Sequence, residues 1–150
     1  APDWGSTVEV AWGAILERPF IAGGFTWTGW DYRGEPTPYA WPDVSSHFGI
    51  LDSSGFWKDR THWYHACWAQ LGAEPVLHLL PHWNWEPSTC RGGCHLVGGR
   101  LFVDVWAFST FPQLELVLPN GTSLGVRSSS RCSHFAWKGV PYVPGRLTAR

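Results

Sequence analysis

The chain contains no methionine and few charges. Lys, Arg, Asp and Glu make up 15% of its 150 residues and nearly cancel, leaving a net charge of −1. Such a balance leaves no basic stripe for neutralising phosphates, so nucleic acid is excluded as an expected partner. Long apolar runs are missing too. None approaches the roughly 18–20 residues that span a bilayer, and no membrane partner is expected. Residues 1–4, Ala-Pro-Asp-Trp, have neither the basic start nor the apolar core of a secretion signal. No cofactor-binding signature stands out, and no cofactor is expected.

Cysteine is scarce, with four residues. Cys67 sits in an aromatic helical pattern and reads as a buried free thiol. Cys90 and Cys94 are spaced to close a small loop. Cys90, Cys94, His95, Cys132 and His134 also have the ligand types of a zinc site, although a C-x₃-C spacing is not a strong zinc signal. Disulfide, free thiol and metal therefore stay open for Cys90, Cys94 and Cys132, and no metal site is assigned.

Aromatic residues are abundant. Twelve Trp, eight Phe and four Tyr make 16% of the chain, more indole than a core of this size needs. A sugar ring offers apolar C–H faces to indoles and hydroxyls to polar partners, so this surplus points to carbohydrate. It concentrates in one stretch, Phe20–Asp59, where an apolar run passes directly into a loop rich in Trp, Tyr, Asp, Arg and Glu.

The local patterns divide the chain in two. Ser6 to Glu17 reads as a helix, with Ser6 and Glu9 as a capping box and Val8, Trp12, Ile15 and Leu16 on one face. Ile21 to Trp27 reads as a strand buried on both faces. Three prolines stiffen the loop from Arg33 to Ser46, and Trp57 to Leu71 reads as a second helix. After Gly72–Pro75 the signals are short strands: Val76–Pro81, Arg100–Phe108, Gln113–Leu118, Ser123–Val126, His134–Trp137 and Arg146–Ala149. Asn120-Gly121 marks a hairpin turn, and also forms part of a glycosylation sequon with Thr122. The alternation of Leu101, Val103 and Val105, and of Leu114, Leu116 and Leu118, is that of an antiparallel sandwich.

The stretches APDWGSTVEVAW, ERPFIAGGFTWTGWDYRGEPTPYAWP, SSHFGILDSSGF, PVLHLLPHWNW and the run from Val103 through Leu118 to NGTSLG occur in an order that resembles glycoside hydrolase family 2, the β-galactosidase family. The resemblance implies an α/β then all-β chain. Residues 1–72 would be an incomplete C-terminal segment of a (β/α)8 TIM barrel, and residues 73–150 an immunoglobulin-like antiparallel β-sandwich. It implies a retaining enzyme with two catalytic Glu, both expected before Ala1, so no catalytic residue is assigned here. Trp27 matches the Trp that floors the sugar pocket at the end of the last barrel strand. Asp31 follows at the family spacing, with a role in holding the loop. Arg33 and Glu35 are expected either to pair with each other or to reach a sugar hydroxyl. Ser46, His47 and Phe48 match the segment closing over the far side of the sugar, where some members have Asn in place of Phe48. Trp57 stands where the related pattern has Pro.

Retaining chemistry needs two carboxylates about 5–5.5 Å apart. Among the candidates Glu9, Glu17, Asp31, Glu35, Asp43, Asp52 and Asp59, Asp31 with Glu35 is the only plausible local pair, and the family does not use either. The expected function is thus a portion of a β-galactosidase-like hydrolase acting on a terminal galactoside. The alternative is a catalytically dead structural or interaction subunit. In either case another protein segment is expected to complete the barrel along Ile21–Trp27, whose strand neighbours are not encoded here.

Overall fold

The structure, a computed structural model, describes residues 5–69, 74–90 and 93–150. It divides into two compact units, Ala1–His65 and Ala66–Arg150. The domain boundary expected at 72/73 lies outside the described residues, and the second helix, expected over Trp57 to Leu71, spans Asp59–Trp68.

In the first unit, helix α1 spans Val8–Leu16. Its N-cap is Thr7, not Ser6. The Thr7 hydroxyl accepts from the Val10 N–H at 3.3 Å, and the Ser6 hydroxyl donates to the Thr7 carbonyl. The expected apolar face is present, with Ile15 packed over Gly24, but no residue of α1 is buried.

The strand expected over Ile21–Trp27 is the main correction. Residues 21–27 form no ladder, and Phe20 and Trp27 are 85% and 73% exposed. The physical reason is that a strand exists only as a pair, since its N–H and C=O groups need a neighbouring chain. The run is apolar enough for a central strand, but no described segment lies beside it.

From Thr28 the chain does find a neighbour. Residues 28–34 run beside 44–51, through Ile50 N–H to Thr28 O, Leu51 N–H to Gly29 O, Asp31 N–H to Leu51 O, Ser46 N–H to Tyr32 O and Gly34 N–H to Val44 O. The proline-rich stretch 35–43 is thereby an excursion with tied ends. Helix α2, Asp59–Trp68, begins after the Asp52–Gly55 turn. Its Trp63 and Tyr64 are buried.

Both sheets of the second unit are antiparallel. One sheet places β3 (Arg100–Ser109) against β1 (Leu77–Leu80) and β2 (Cys94–Val97) on one edge, and β6 (Phe135–Pro141) on the other. The second sheet has the order β5 (Ser123–Ser128), β4 (Gln113–Val117), β7 (Thr148–Ala149). Leu101, Val103, Val105 and Ala107 of β3 meet Leu114, Leu116 and Leu118, with Phe135, Trp137, Val140 and Trp85 completing the core. Burial of each large aliphatic side chain there stabilises the fold by about 1.5–3 kcal/mol. The strand expectations hold to within a few residues, except that β2 had none. Gly98-Gly99, with φ of 56° and 75°, makes the two-residue turn joining Val97 to Arg100. That turn needs positive φ at both positions, so the Gly-Gly pair between apolar residues was the available signal.

All four cysteines are paired, as Cys67–Cys132 and Cys90–Cys94. Cys67 is therefore not a free thiol, and no thiol is left for the zinc alternative. Sequence periodicity showed Cys67 on a buried helix face but not the distant Cys132. Arg131 stands beside that disulfide and donates to the carbonyls of Cys67 and Ala69 at 2.9 and 3.0 Å, closing the end of α2.

At the bulge between Val103 and Val105, Asp104 accepts from Gly139 N–H at 2.8 Å and pairs with Lys138 at 3.1 Å. The Gly139 bond is the chief cause holding the Asp104 carboxyl below its ordinary 3.8. Glu115 is likewise held below 4.5, first by the Ser123 hydroxyl and then by Arg150.

Two predictions follow from this unit. Closing a loop of 65 residues by Cys67–Cys132 should contribute about 4 kcal/mol in the chain-entropy account. Cys132→Ser should therefore lower urea-unfolding stability by about 2–4 kcal/mol. The second concerns acid. Because Asp104 and Glu115 have depressed folded-state values, their contribution is fully present at neutral pH. It is lost as pH falls through and below 3.8–4.5, where the unfolded chain takes up protons first. The melting-temperature gap between the parent chain and Asp104→Asn should accordingly be widest at neutral pH and close on acidification.

Candidate functional site

Asp31 is the residue from which the site is built. Its side chain is only 9% exposed; Oδ1 accepts from Gly49 N–H at 2.8 Å and Oδ2 pairs with Lys58 at 2.5 Å. Gly49 is required there, because a Cβ would collide with the backbone of Trp30, Asp31 and Leu51. Lys58, Arg60 and Thr61, at the start of α2, donate to the carbonyls of His47, Phe48 and Ile50. The segment 47–50 is thus pinned from both sides, and its side chains are set against the 27–35 loop.

These contacts shape an open cleft of about 480 Å³ in the first unit, lined by Gly5, Ser6, Trp27, Glu35, Thr37, His47, Phe48 and Arg60. The exposed Trp27 indole meets Tyr32 edge-on, with centroids 6.3 Å apart, and donates its N–H to the Tyr32 hydroxyl at 3.4 Å. The peptide Trp27–Thr28 is cis. The Tyr32 hydroxyl in turn donates to Glu35 Oε2. That bond is the main reason the Tyr32 phenol is raised above its ordinary 10.0. Glu35 has φ of 51°. A non-glycine residue in this region costs on the order of 1–3 kcal/mol and persists only where its surroundings hold it. His47, also on the cleft, has Nε2 2.8 Å from Asp43 Oδ2, and the Tyr39 ring packs edge-on against its imidazole. Asp43 is held below its ordinary value first by the Ser45 N–H and then by His47.

Of the residues singled out in the sequence, Trp27, Glu35 and His47 come together on the cleft. Asp31 lies behind it as a support. Arg33 is exposed, its backbone bridges to Ser45, and among the described residues it makes no ion pair with Glu35, which bonds Tyr32 instead. Tyr32 and Tyr39 had not been picked out. The signal for Tyr32 was its place between Asp31 and Arg33 in the loop, but nothing in the sequence pairs it with Trp27 and Glu35. The arrangement offers an apolar indole face, a carboxylate acceptor and an imidazole around one opening, which is the equipment for gripping a polar ring with apolar faces.

Comparisons agree with the motifs. The chain is 40% identical over 146 residues to the beta-galactosidase BoGH2A of Bacteroides ovatus, covering 96% of this chain and 15% of that protein. A beta-glycosidase structure from Bacteroides vulgatus superposes with a TM-score of 0.75 at 30% identity, covering 96% of this chain and 16% of that one. A glycosyl hydrolase family 2 member from Bacteroides cellulosilyticus shares the fold, with a TM-score of 0.65 at 24% identity over 94% of this chain and 18% of its own. Residues 102–150 match a family described as a domain of unknown function, DUF4982. These matches support reading the chain as a fragment of a glycoside hydrolase family 2 protein. The chain spans less than a fifth of the length of these relatives.

Loss of the Asp31 carboxylate strands the Gly49 N–H and leaves Lys58 without its ion-pair partner. Asp31→Ala should cost about 2–4 kcal/mol of stability, read from urea denaturation. Asp31→Asn, which keeps an acceptor for Gly49 and loses the charge, should fall between Asp31→Ala and the unmodified chain.

Proposed function

We propose that this chain is the part of a β-galactosidase-like retaining glycoside hydrolase in which the catalytic (β/α)8 barrel ends and an immunoglobulin-like sandwich follows. The division falls near residues 72 and 73. Trp27 forms the floor of the sugar pocket, with Glu35 and His47 beside it and Asp31 holding the loop. The observation that carries this reading is the exposed Trp27 indole in a cleft that also holds a carboxylate and an imidazole.

Both catalytic Glu residues come from elsewhere in the complete enzyme. Asp31, half of the one local carboxylate pair, is committed to Gly49 and Lys58 and does not line the cleft. The chain alone should therefore show no turnover of a chromogenic galactoside. The exposed Phe20, Phe25, Trp30 and Trp41 support the further proposal that other barrel elements, in the same polypeptide or a partner, cover the 20–27 segment.

The decisive experiment is Trp27→Ala in the complete enzyme. Loss of stacking on the sugar face is worth about 1–3 kcal/mol, so kcat/KM for an aryl β-galactoside should fall about fivefold or more. An unchanged kcat/KM in a folded variant would remove the floor role. A larger response with a different aryl glycoside would reassign the sugar.

A further inference from the structure

Tyr32 is not among the residues that line the cleft, yet its hydroxyl sits between two that are. The direction of both hydrogen bonds is fixed by chemistry. An indole N–H only donates and an ionised carboxylate only accepts, so the phenol accepts from Trp27 and spends its one proton on Glu35. No other side chain type in the loop has a rigid ring with a donor-acceptor tip at that reach.

Its own placement leaves little latitude. The Tyr32 N–H donates to Ser46 Oγ at 3.0 Å, and its carbonyl accepts from Ser46 N–H at 2.8 Å and Ser45 Oγ at 3.1 Å. Ser46 is fully buried, and Phe48 meets the Tyr32 ring edge-on at 6.4 Å. Glu35 is the flexible partner. Its Oε2 is taken by Tyr32, while Oε1 has no partner among the described residues and belongs to a cleft-lining side chain.

We infer that Tyr32 is the positioning residue of this cleft, a role that rests on the sugar-pocket reading above. Through its hydroxyl it sets the plane of the Trp27 indole and turns Glu35 so that Oε1 is presented to one hydroxyl of the ring stacked on Trp27. Apolar floor and polar acceptor are thereby held in register by a single side chain that does not itself touch the sugar. The phenol's one proton goes to Glu35, and that bond raises the phenol above its ordinary 10.0.

Two measurements test this. In the chain itself, subtracting the alkaline absorbance titration of Tyr32→Phe from that of the unmodified chain isolates one of the four phenols. It should titrate above the ordinary 10.0, and Glu35→Gln should bring one phenol back toward that value. A Tyr32 phenol with an ordinary titration overturns the proposal. Should Tyr32→Phe fail to fold, the full tyrosine titration of Glu35→Gln still decides, since one transition of four either moves down or stays. In the complete enzyme, Tyr32→Phe should raise KM for an aryl β-galactoside about fivefold, the scale of one lost hydrogen bond, with kcat changed much less. KM unchanged in Tyr32→Phe but raised in Trp27→Ala overturns the positioning role and leaves the floor standing. KM unchanged in Tyr32→Phe together with kcat/KM unchanged in Trp27→Ala overturns the sugar-pocket reading and this proposal with it.

Discussion

A single carboxylate organises the aromatic unit. Asp31 is nearly removed from water, and an ionised group in that position has to be matched by donors. Gly49 N–H and the Lys58 ammonium supply the match. Because one donor comes from the returning strand segment and the other from the residue before α2, satisfying Asp31 fixes both at once. The wall carrying His47 and Phe48 therefore stands where it does in order to keep a buried charge paired. A charge-assisted hydrogen bond is directional where an apolar contact is not. This suits a segment that has few large buried side chains to hold it.

The two units solve the same problem by different means. The sandwich excludes water from a continuous apolar core shared by β3, β4 and β6, and its carboxylates Asp104 and Glu115 sit at irregularities in the ladders, where they satisfy backbone or neighbouring groups. The first unit relies on hydrogen bonds between 28–34 and 44–51 and leaves Phe20, Trp27 and Trp41 in solvent. Exposed indoles of this kind are costly for a surface without a binding role. Trp27 lies on the cleft, and Phe20 on the segment proposed to be covered by further barrel elements.

The sandwich was legible to within a few residues because period-two alternation and turn dipeptides are local. Leu114, Leu116 and Leu118 report their face wherever their partners are. The hairpin at Asn120-Gly121 closes as read, with Leu118 N–H on Thr122 O. The strand read over Ile21–Trp27 failed for the complementary reason. Its composition is that of a central strand, but pairing is a property of two segments and composition describes one. Cys67 shows the same limit: its helical face was readable, but Cys132 is 65 residues away.

For the cleft, the sequence by itself determined the inventory and its family. The Trp-Thr-Gly-Trp-Asp motif and the Ser-Ser-His-Phe-Gly run name Trp27, Asp31 and His47 without any coordinates. Only the tertiary structure decided their division of labour: Asp31 as the inner support, Arg33 outside, Glu35 turned from Arg33 to Tyr32, and His47 held by Asp43. Residue types record what a side chain can donate, accept or stack on. Which partner it takes depends on distances set by the chain's return at 44–51, and the buried charge of Asp31 makes that return obligatory.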